Sequence, residues 1–433
     1  MNRVAEVQDV PAPRDVRHAS AAVFGVFLLS GINFASWAAR LPAVRDALDL
    51  TPERMGVLLL IGAFGSLAAL PLSGLAVERW GARRTVLAFA VVNGSGFAIG
   101  SIGVALGQVV VVAVGLVLAG IGAGVWDAAM NIEGAVVEQR LGRTVMPRYH
   151  AGFSVGTMAA AGVAAGAAVL HVPVQVHLPV VVVLSTGAVA LCVRAFLAEP
   201  APVPASDAPA GGTEAHPAPR GARRALGAWL EPRTLLLGLV VLAAALTEGA
   251  ANDWVSLAVV DGFDTSHATG AVGFGLFVTA MTAMRLFGTA LLDRYGRVVV
   301  LRLCVGLAGA GLLVFGLADQ LWLALVGVAA WGMGAALGFP VGMSAAADDP
   351  LRAAQRVAVV STIGYSAFLA GPPLLGLLAE HVGYRQALLA ILAPVVLGLL
   401  VTSAARPLPR GSGHENARVP ADALDDSRTR TAD

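Results

Sequence analysis

Residues 119–156 read AGIGAGVWDAAMNIEGAVVEQRLGRTVMPRYHAGFSVG. The stretch opens as an apolar, glycine-rich run interrupted by a single acid, Asp127, with Asn131 one helical turn on. It then leaves the apolar phase through Glu133, Glu138, Arg140, Arg143 and Arg148 and re-enters it from His150. That is the signature of one membrane span, a polar turn at the membrane face and the start of a second span; an acid at such depth is costly and needs a function or a partner. The rest of the chain repeats the alternation. Hydrophobic residues make up 57% and charged residues 13% of 433 positions, too little polar surface to cover a soluble globule of this size. At 1.5 Å per residue, about 20 residues cross about 30 Å of hydrocarbon. Runs of that length fall near 20–39, 54–77, 84–105, 108–131, 150–170, 172–197, 234–260, 267–291, 298–318, 320–346, 357–379 and 386–404. The expected fold is an all-α membrane protein of twelve transmembrane helices in two pseudo-symmetric six-helix bundles.

The domain reading is an N-terminal tail (1–19), a first bundle (20–197), a Pro/Ala/Gly-rich linker without a burial pattern (198–232), a second bundle (233–405) and a polar tail (406–433), with the last tail expected to be disordered and the linker largely so, apart from a short stretch around Leu226 to Leu230. The first apolar run has no small-residue cleavage signature and reads as a retained span. Arginine sets the orientation: 24 of 29 lie in the tails, the linker and the even-numbered loops, and only Arg40, Arg45, Arg54 and Arg385 in the odd-numbered ones. Both termini are therefore expected in the cytoplasm. All the basic residues are Arg, a bias that points to a GC-rich bacterial coding sequence and so to a bacterial inner membrane. Cys192 and Cys304 lie in apolar runs of different halves and read as small core residues.

The two halves resemble each other. Gly120, Gly122 and Ala123 match Gly332, Gly334 and Ala335 at an offset of 212 residues, and Gly152-Phe153-Ser154 matches Gly364-Tyr365-Ser366 at the same offset. Glu78-Arg79-Trp80-Gly81 after the second span matches Asp293-Arg294-Tyr295-Gly296 after the eighth, offset 215, which implies a duplicated six-span unit. In the first copy Gly74 allows close helix contact, Glu78 can accept from helix N-terminal amides, Gly81 permits a tight turn, and Arg79, Arg83 and Arg84 anchor to the leaflet; Asp293, Arg294, Gly296 and Arg297 form the second copy.

Twelve spans in two halves, with this loop after spans two and eight, resemble the major facilitator superfamily over essentially the whole chain, although Glu78 stands where that family usually has Asp and Ala82 where it often has a basic residue. The resemblance implies a secondary transporter whose central cavity is exposed alternately to either side. Trp126-Asp127-Ala-Ala-Met-Asn131 is similar to the fucose-proton symporter branch, and Glu248-Gly-Ala-Ala-Asn252-Asp253-Trp254 resembles an uncharacterised bacterial branch near it. The acid that the sugar symporters carry in the first span is absent here, where Asn33, Ser36 and Trp37 are the polar or aromatic candidates. The mid-helix Arg of the fourth span and the Gly-Pro motif of the fifth that mark proton-driven drug exporters are also missing; Gly371-Pro372-Pro373 occurs in the eleventh instead.

Asp127 and Asn131 share a helix face, as do Glu248 and Asn252. Burial raises a carboxylate's pKa, so reversible protonation is one reading of Asp127; a fixed ion pair with Arg285 is the other. Glu248 is the preferred cavity acid of the seventh span, with Asp253 and Trp254 nearer the outer interface and Trp254 read as an interfacial anchor. Arg285 can snorkel, brace the Asp293 loop or bind an anion, and His150 can end its helix or relay a proton. Proton coupling or substrate binding is accordingly assigned to Asp127, Asn131, Glu248, Asn252, Asn33 and Trp37, with Arg285, His150 and Asp253 as charge partners. There is no phosphate-cradling loop and no constellation of a soluble enzyme, metal site or nucleic-acid interface. The expectation is a monomeric, cofactor-free, proton-coupled transporter of a small polar solute. The alternatives are a proton-driven exporter of amphiphilic or drug-like compounds and a non-transporting membrane sensor.

Overall fold

The turns decide how the helices are cut. The computed structural model describes residues 14–142, 145–197, 227–349 and 352–407. Span 1 is Arg14–Ala38, followed by a short helix, Leu41–Ala47. The next helix, Pro52–Ala105, is interrupted at Gly81, whose φ of 77° and ψ of 158° no side-chain-bearing residue adopts cheaply, so it is two spans, 2 and 3. Spans 4, 5 and 6 are Val109–Leu141, Met146–Val169 and Val174–Cys192. Spans 7, 8 and 9 are Pro232–Gly262, His267–Tyr295 and Arg297–Leu317. Span 10 is Leu321–Ala335 continued by Gly338–Ala346, span 11 is Ala353–Val382, and span 12 runs through Tyr384–Leu388, Leu389–Ile391 and Leu392–Val401. Among the described residues eleven helices are long and apolar enough to cross a membrane, and the Gly81 break divides one of them, giving the twelve spans expected.

Several boundaries differ from the reading by composition, span 4 running on to Leu141 among them, and three have a local cause. Span 1 is helical from Arg14, within the tail assigned to 1–19, because a helix may run past the hydrocarbon as long as its extra turn is polar, as Arg14, Asp15, Arg17 and His18 make it. Span 5 starts at Met146 rather than at His150, with Pro147 in its first turn, where the missing N–H costs nothing. Span 10 is broken at 336–337: Pro340 cannot donate to the carbonyl of Ala336 and its ring crowds it, so the helix restarts at Gly338. Residues 198–226 and 408–433, which carry most of the expected disorder, lie outside the described residues, as do residues 1–13 and Arg143.

The duplication is written into the packing. A methyl group on Gly96 would strike Gly115 O at 2.5 Å, and one on Gly311 would strike Gly327 O at 2.6 Å; both pairs are related by the offsets 215 and 212, so span 3 sits on span 4 as span 9 sits on span 10. Gly81 and Gly296 share one conformation (φ 77° and 75°). Thr51 and Ser266, 215 apart, cap spans 2 and 8 by accepting from Arg54 N–H and Thr269 N–H. Small residues at such contacts replace the hydrophobic drive that lipid does not supply.

Residues 14 and 405 lie at one face of the bundle, here the terminal face; the turns at 39–51 and 263–266 mark the distal face. The two halves meet near the distal face. There Gly56 of span 2 abuts Pro372 and Gly376 of span 11, Gly275 of span 8 abuts Ala161 of span 5, and Ser256 Oγ donates to Ala38 O at 3.3 Å. One apolar core runs through both halves at this level, joining Trp37, Leu58 and Ala161 to Trp254, Phe274 and Phe277. A separate core (Phe27, Trp126, Met130 and Tyr149) belongs to the first half alone. Trp254, read as an interfacial anchor, is instead buried to 1% exposure against Tyr384 of span 12, 5.6 Å between ring centroids.

Candidate functional site

A cavity of about 480 Å³ lies between the halves, on the terminal side of these contacts. Its first-half wall comes from spans 1 to 5, with Ser30, Asn33, Phe34, Trp37, Ser66, Asn93, Phe97, Trp126, Asp127 and Phe153 among its residues; Gly249, Asn252 and Asp253 of span 7 and Tyr365, Phe368 and Pro372 of span 11 supply the other. Glycines aim the acid of span 4. Gly120 lies against Gly62 O and Gly124 against Ser66 O, so spans 2 and 4 are in backbone contact, and Asp127 follows Gly124 by three residues on that same face. Its carboxylate is open to the cavity and makes no ion pair among the described residues. Asn131 donates to Asp127 O at 2.8 Å and approaches Oδ1 at 3.4 Å.

The arginine considered as a partner for Asp127 is engaged elsewhere. Arg285 Nη2 donates to Glu248 Oε2 at 2.8 Å, and its Nε donates to Ala336 O at 3.2 Å, the carbonyl that Pro340 frees by breaking span 10. Glu248, preferred from the sequence as the cavity acid, is thus neutralised and does not line the cavity, whereas Asp253, placed nearer the interface, does. The helical phase explains the exchange: Asn252 and Asp253 follow Gly249, which opens the face on which the ring of Phe368 packs, 3.0 Å from a Cβ placed on that glycine.

Asn33 and Asn93 bind each other, Asn33 Nδ2 donating to Asn93 Oδ1 at 3.1 Å. Asn93 Nδ2 donates to Ala119 O at 2.8 Å, and Asn33 Oδ1 accepts from Ser185 Oγ at 2.6 Å. Trp37 tilts against Phe97, ring centroids 5.8 Å apart. His150 is exposed at the second turn of span 5, its ring edge-on to Phe27 at 5.1 Å, and is not a lining residue. The sequence reading missed Asn93, a polar residue within an apolar span that the argument used for Asp127 would have found. It also missed the aromatics Phe34, Phe97, Phe153, Tyr365 and Phe368, which nothing in composition separates from core aromatics.

In the loops, Glu78 and Asp293 form no ion pair among the described residues, and Gly74 faces open space rather than another helix. Close contact at Gly74 is therefore not made with the terminal face apart. The second copy is anchored by Arg297, which donates to Asp348 at 2.6 Å; Arg233 donates to the same carboxylate at 2.9 Å. Trp80 stacks on Phe89 and Arg294 lies 5.3 Å from the Tyr295 ring centroid. Glu133 and Glu138 accept from main-chain amides: Leu197 N–H at 2.9 Å for the first, Val145 and Met146 N–H at 2.6 and 2.7 Å for the second.

Comparison with known proteins gives a consistent picture. The sequence profile of the Major Facilitator Superfamily matches residues 22–350 and 237–425. An uncharacterized transporter, y4wD of Sinorhizobium fredii, is 33% identical over 382 residues, 86% of this chain and 96% of its own. An uncharacterized MFS-type transporter of Yersinia pestis is 29% identical over 82% of this chain and 87% of its own. Among solved structures, a point mutant of the nucleoside transporter NupG superposes with a TM-score of 0.71 at 13% identity, covering 89% of this chain and 99% of that one. A point mutant of the Escherichia coli fucose:proton symporter FucP gives 0.59 at 14% identity, over 91% and 100%. At such identities the likeness is one of fold.

Proposed function

We propose that this chain, which belongs to the major facilitator superfamily and is a multi-pass membrane transporter rather than an enzyme, moves a small polar solute by alternating access and couples that movement to protons through Asp127. The observation that carries the reading is a carboxylate without an ion-pair partner among the described residues, open to a cavity between two halves; the other lining acid, Asp253, stands on the second-half wall, and Glu248 is neutralised by Arg285 away from the cavity. An unpaired acid that faces an open cavity can exchange its proton with water, and an exchangeable proton on the substrate's path is what coupling requires. With the distal face closed, the cavity serves the terminal face; arginine distribution assigns that face to the cytoplasm of a bacterial inner membrane. The nucleoside, fucose-proton and xylose-proton transporters of like fold support a polar solute by analogy. The test is Asp127→Asn in reconstituted vesicles, with a solute chosen from a metabolite library by its effect on thermal stability. Asparagine keeps the shape and bonding of the protonated acid, so accumulation driven by a pH gradient is expected to vanish while equilibrium binding and counterflow persist. Wild-type accumulation by the variant removes Asp127 from coupling, and loss of folded protein assigns it a structural role.

A second reading, proton-driven export of amphiphilic compounds, is favoured by the aromatic content of the wall. Direction of net flux under an imposed pH gradient separates the two.

A further inference from the structure

The wall of the cavity offers acceptors and aromatic faces, and no cation. Among its lining residues Asp127 and Asp253 are the charged groups; neither Arg nor His is present. Arg285, the intramembrane arginine, is committed to Glu248 and to Ala336 O. The amides that would recognise a polyol are largely used up, since Asn33 and Asn93 bind each other, Ser185 and Ala119. What remains on the second-half wall is Asp253, the unpartnered and buried Oδ1 of Asn252, and the rings of Tyr365 and Phe368, whose centroids are 6.3 Å apart. Phe368 packs on Gly249, one helical turn before Asp253 on the same face, so the carboxylate and the ring bound one corner of the cavity.

We infer that this corner, Asp253 with Asn252, Tyr365 and Phe368, is a subsite for the head group of an organic cation, a protonated or quaternary amine carrying an apolar body. The inference rests on reading the cavity as the transport site. An ammonium presents donors and no acceptor, the complement of a carboxylate and an amide oxygen, and its charge is attracted to the faces of aromatic rings. A cavity of about 480 Å³ falls within the range of small-molecule sites and has room for the apolar body against Phe34, Phe97 and Phe153. The two carboxylates then divide the work: Asp253 holds the substrate's charge, and Asp127 on the opposite wall carries the proton.

The experiment is equilibrium binding to the purified full-length protein, with no gradient, of three probes of one size: phenethylamine, phenethyl alcohol and phenylacetate. The amine should bind at least tenfold more tightly than the alcohol, and the acid least of all. Asp253→Asn should abolish the preference, lowering amine affinity tenfold or more towards that of the alcohol, while Asp127→Asn keeps it. Should Asp253→Asn fail to fold, Phe368→Leu retains the charge and removes the ring, and it should weaken the amine more than the alcohol. Equal binding of amine and alcohol, preference for the acid, or loss of the preference in Asp127→Asn with its survival in Asp253→Asn overturns the assignment. Failure of proton coupling is distinguishable: amine binding without pH-driven uptake sinks the coupling and leaves the subsite, whereas pH-driven uptake of a neutral or anionic solute with no amine binding does the reverse.

Discussion

Replacing Arg45 with alanine should release the distal face. Arg45, on the short helix Leu41–Ala47, donates from Nη1 to Asp261 of the second half at 2.5 Å and lies 5.7 Å from the ring centroid of Tyr384, also in the second half. Its bond to Asp46 joins neighbours in the same half, persists whichever face is open, and contributes nothing to the balance between the states. Burial pushes the guanidinium's pKa down, but Asp261, Tyr384 and Asp46 outweigh it and raise the pKa above its ordinary value, so the charge is permanent. Arg45 is 12% exposed and Asp261 39%, which puts their pair near the upper end of the 0.2–1 kcal/mol range of surface bridges, about 1 kcal/mol; the cation–π contact adds about 0.5–1 kcal/mol. The loss, about 1–2 kcal/mol, shifts the ratio of distal-closed to distal-open molecules by a factor of roughly 5–30. Asp46, relieved of Arg45, keeps its 2.7 Å contact with His267 across the same seam and limits the effect to the lower part of that range. Spin labels at Leu106 and Leu317, exposed on the distal side of either half, report the separation once Cys192 and Cys304 are replaced by alanine. The distance distribution should gain a longer component in Arg45→Ala and, to a lesser degree, in Asp261→Asn. Distributions indistinguishable from the parent in both variants would show that these bonds are incidental to closure.

Other consequences can be measured alongside. Gly56→Val should act in the same direction and more strongly, because even its Cβ would sit 2.5 Å from Pro372 O and 3.2 Å from Gly376 Cα, so the same label pair should report a largely open distal face. Glu248→Gln strands the Arg285 charge with the Ala336 carbonyl and should cost about 1–3 kcal/mol, read as a lower melting temperature; adding Arg285→Gln should recover part of it, and a single variant as stable as the parent contradicts a brace. Glu231, outside the spans, is raised by partial desolvation but held below the ordinary glutamate range overall by Arg356, Thr234 and Arg352. A depressed folded pKa stabilises above the unfolded value of about 4.3 and loses its effect as pH falls through the folded one, so the melting-temperature deficit of Glu231→Gln should be full at pH 7 and close below about pH 4.

Much of this architecture is legible in the residues because a bilayer restricts the choices: apolar length gives the spans, and the duplicated Gly120/Gly332 and Glu78/Asp293 segments give the two halves. Asp127 stood out for the same reason. The seventh span was harder. Glu248, Asn252 and Asp253 lie within six residues of one another, and which acid faces the cavity depends on Arg285, 37 residues away, and on a carbonyl released by Pro340 in a third helix. Long-range pairing of that kind leaves no periodicity to read. Trp254 was misplaced because an aromatic near a span's end has one local pattern whether it meets lipid headgroups or the Tyr384 ring of a neighbouring helix.

The central claim, that Asp127 carries a proton across with the solute, is tested most directly by watching the proton itself. Protein is reconstituted in vesicles containing a pH-sensitive dye at equal internal and external pH, and an inward gradient of the tightest-binding solute of the metabolite library is imposed. The account predicts a change of luminal pH that collapses with a protonophore, is absent from Asp127→Asn vesicles, and survives in those carrying the paired Glu248→Gln/Arg285→Gln substitution. Solute entering wild-type vesicles with no change of luminal pH, or an unaltered signal from Asp127→Asn, would contradict it.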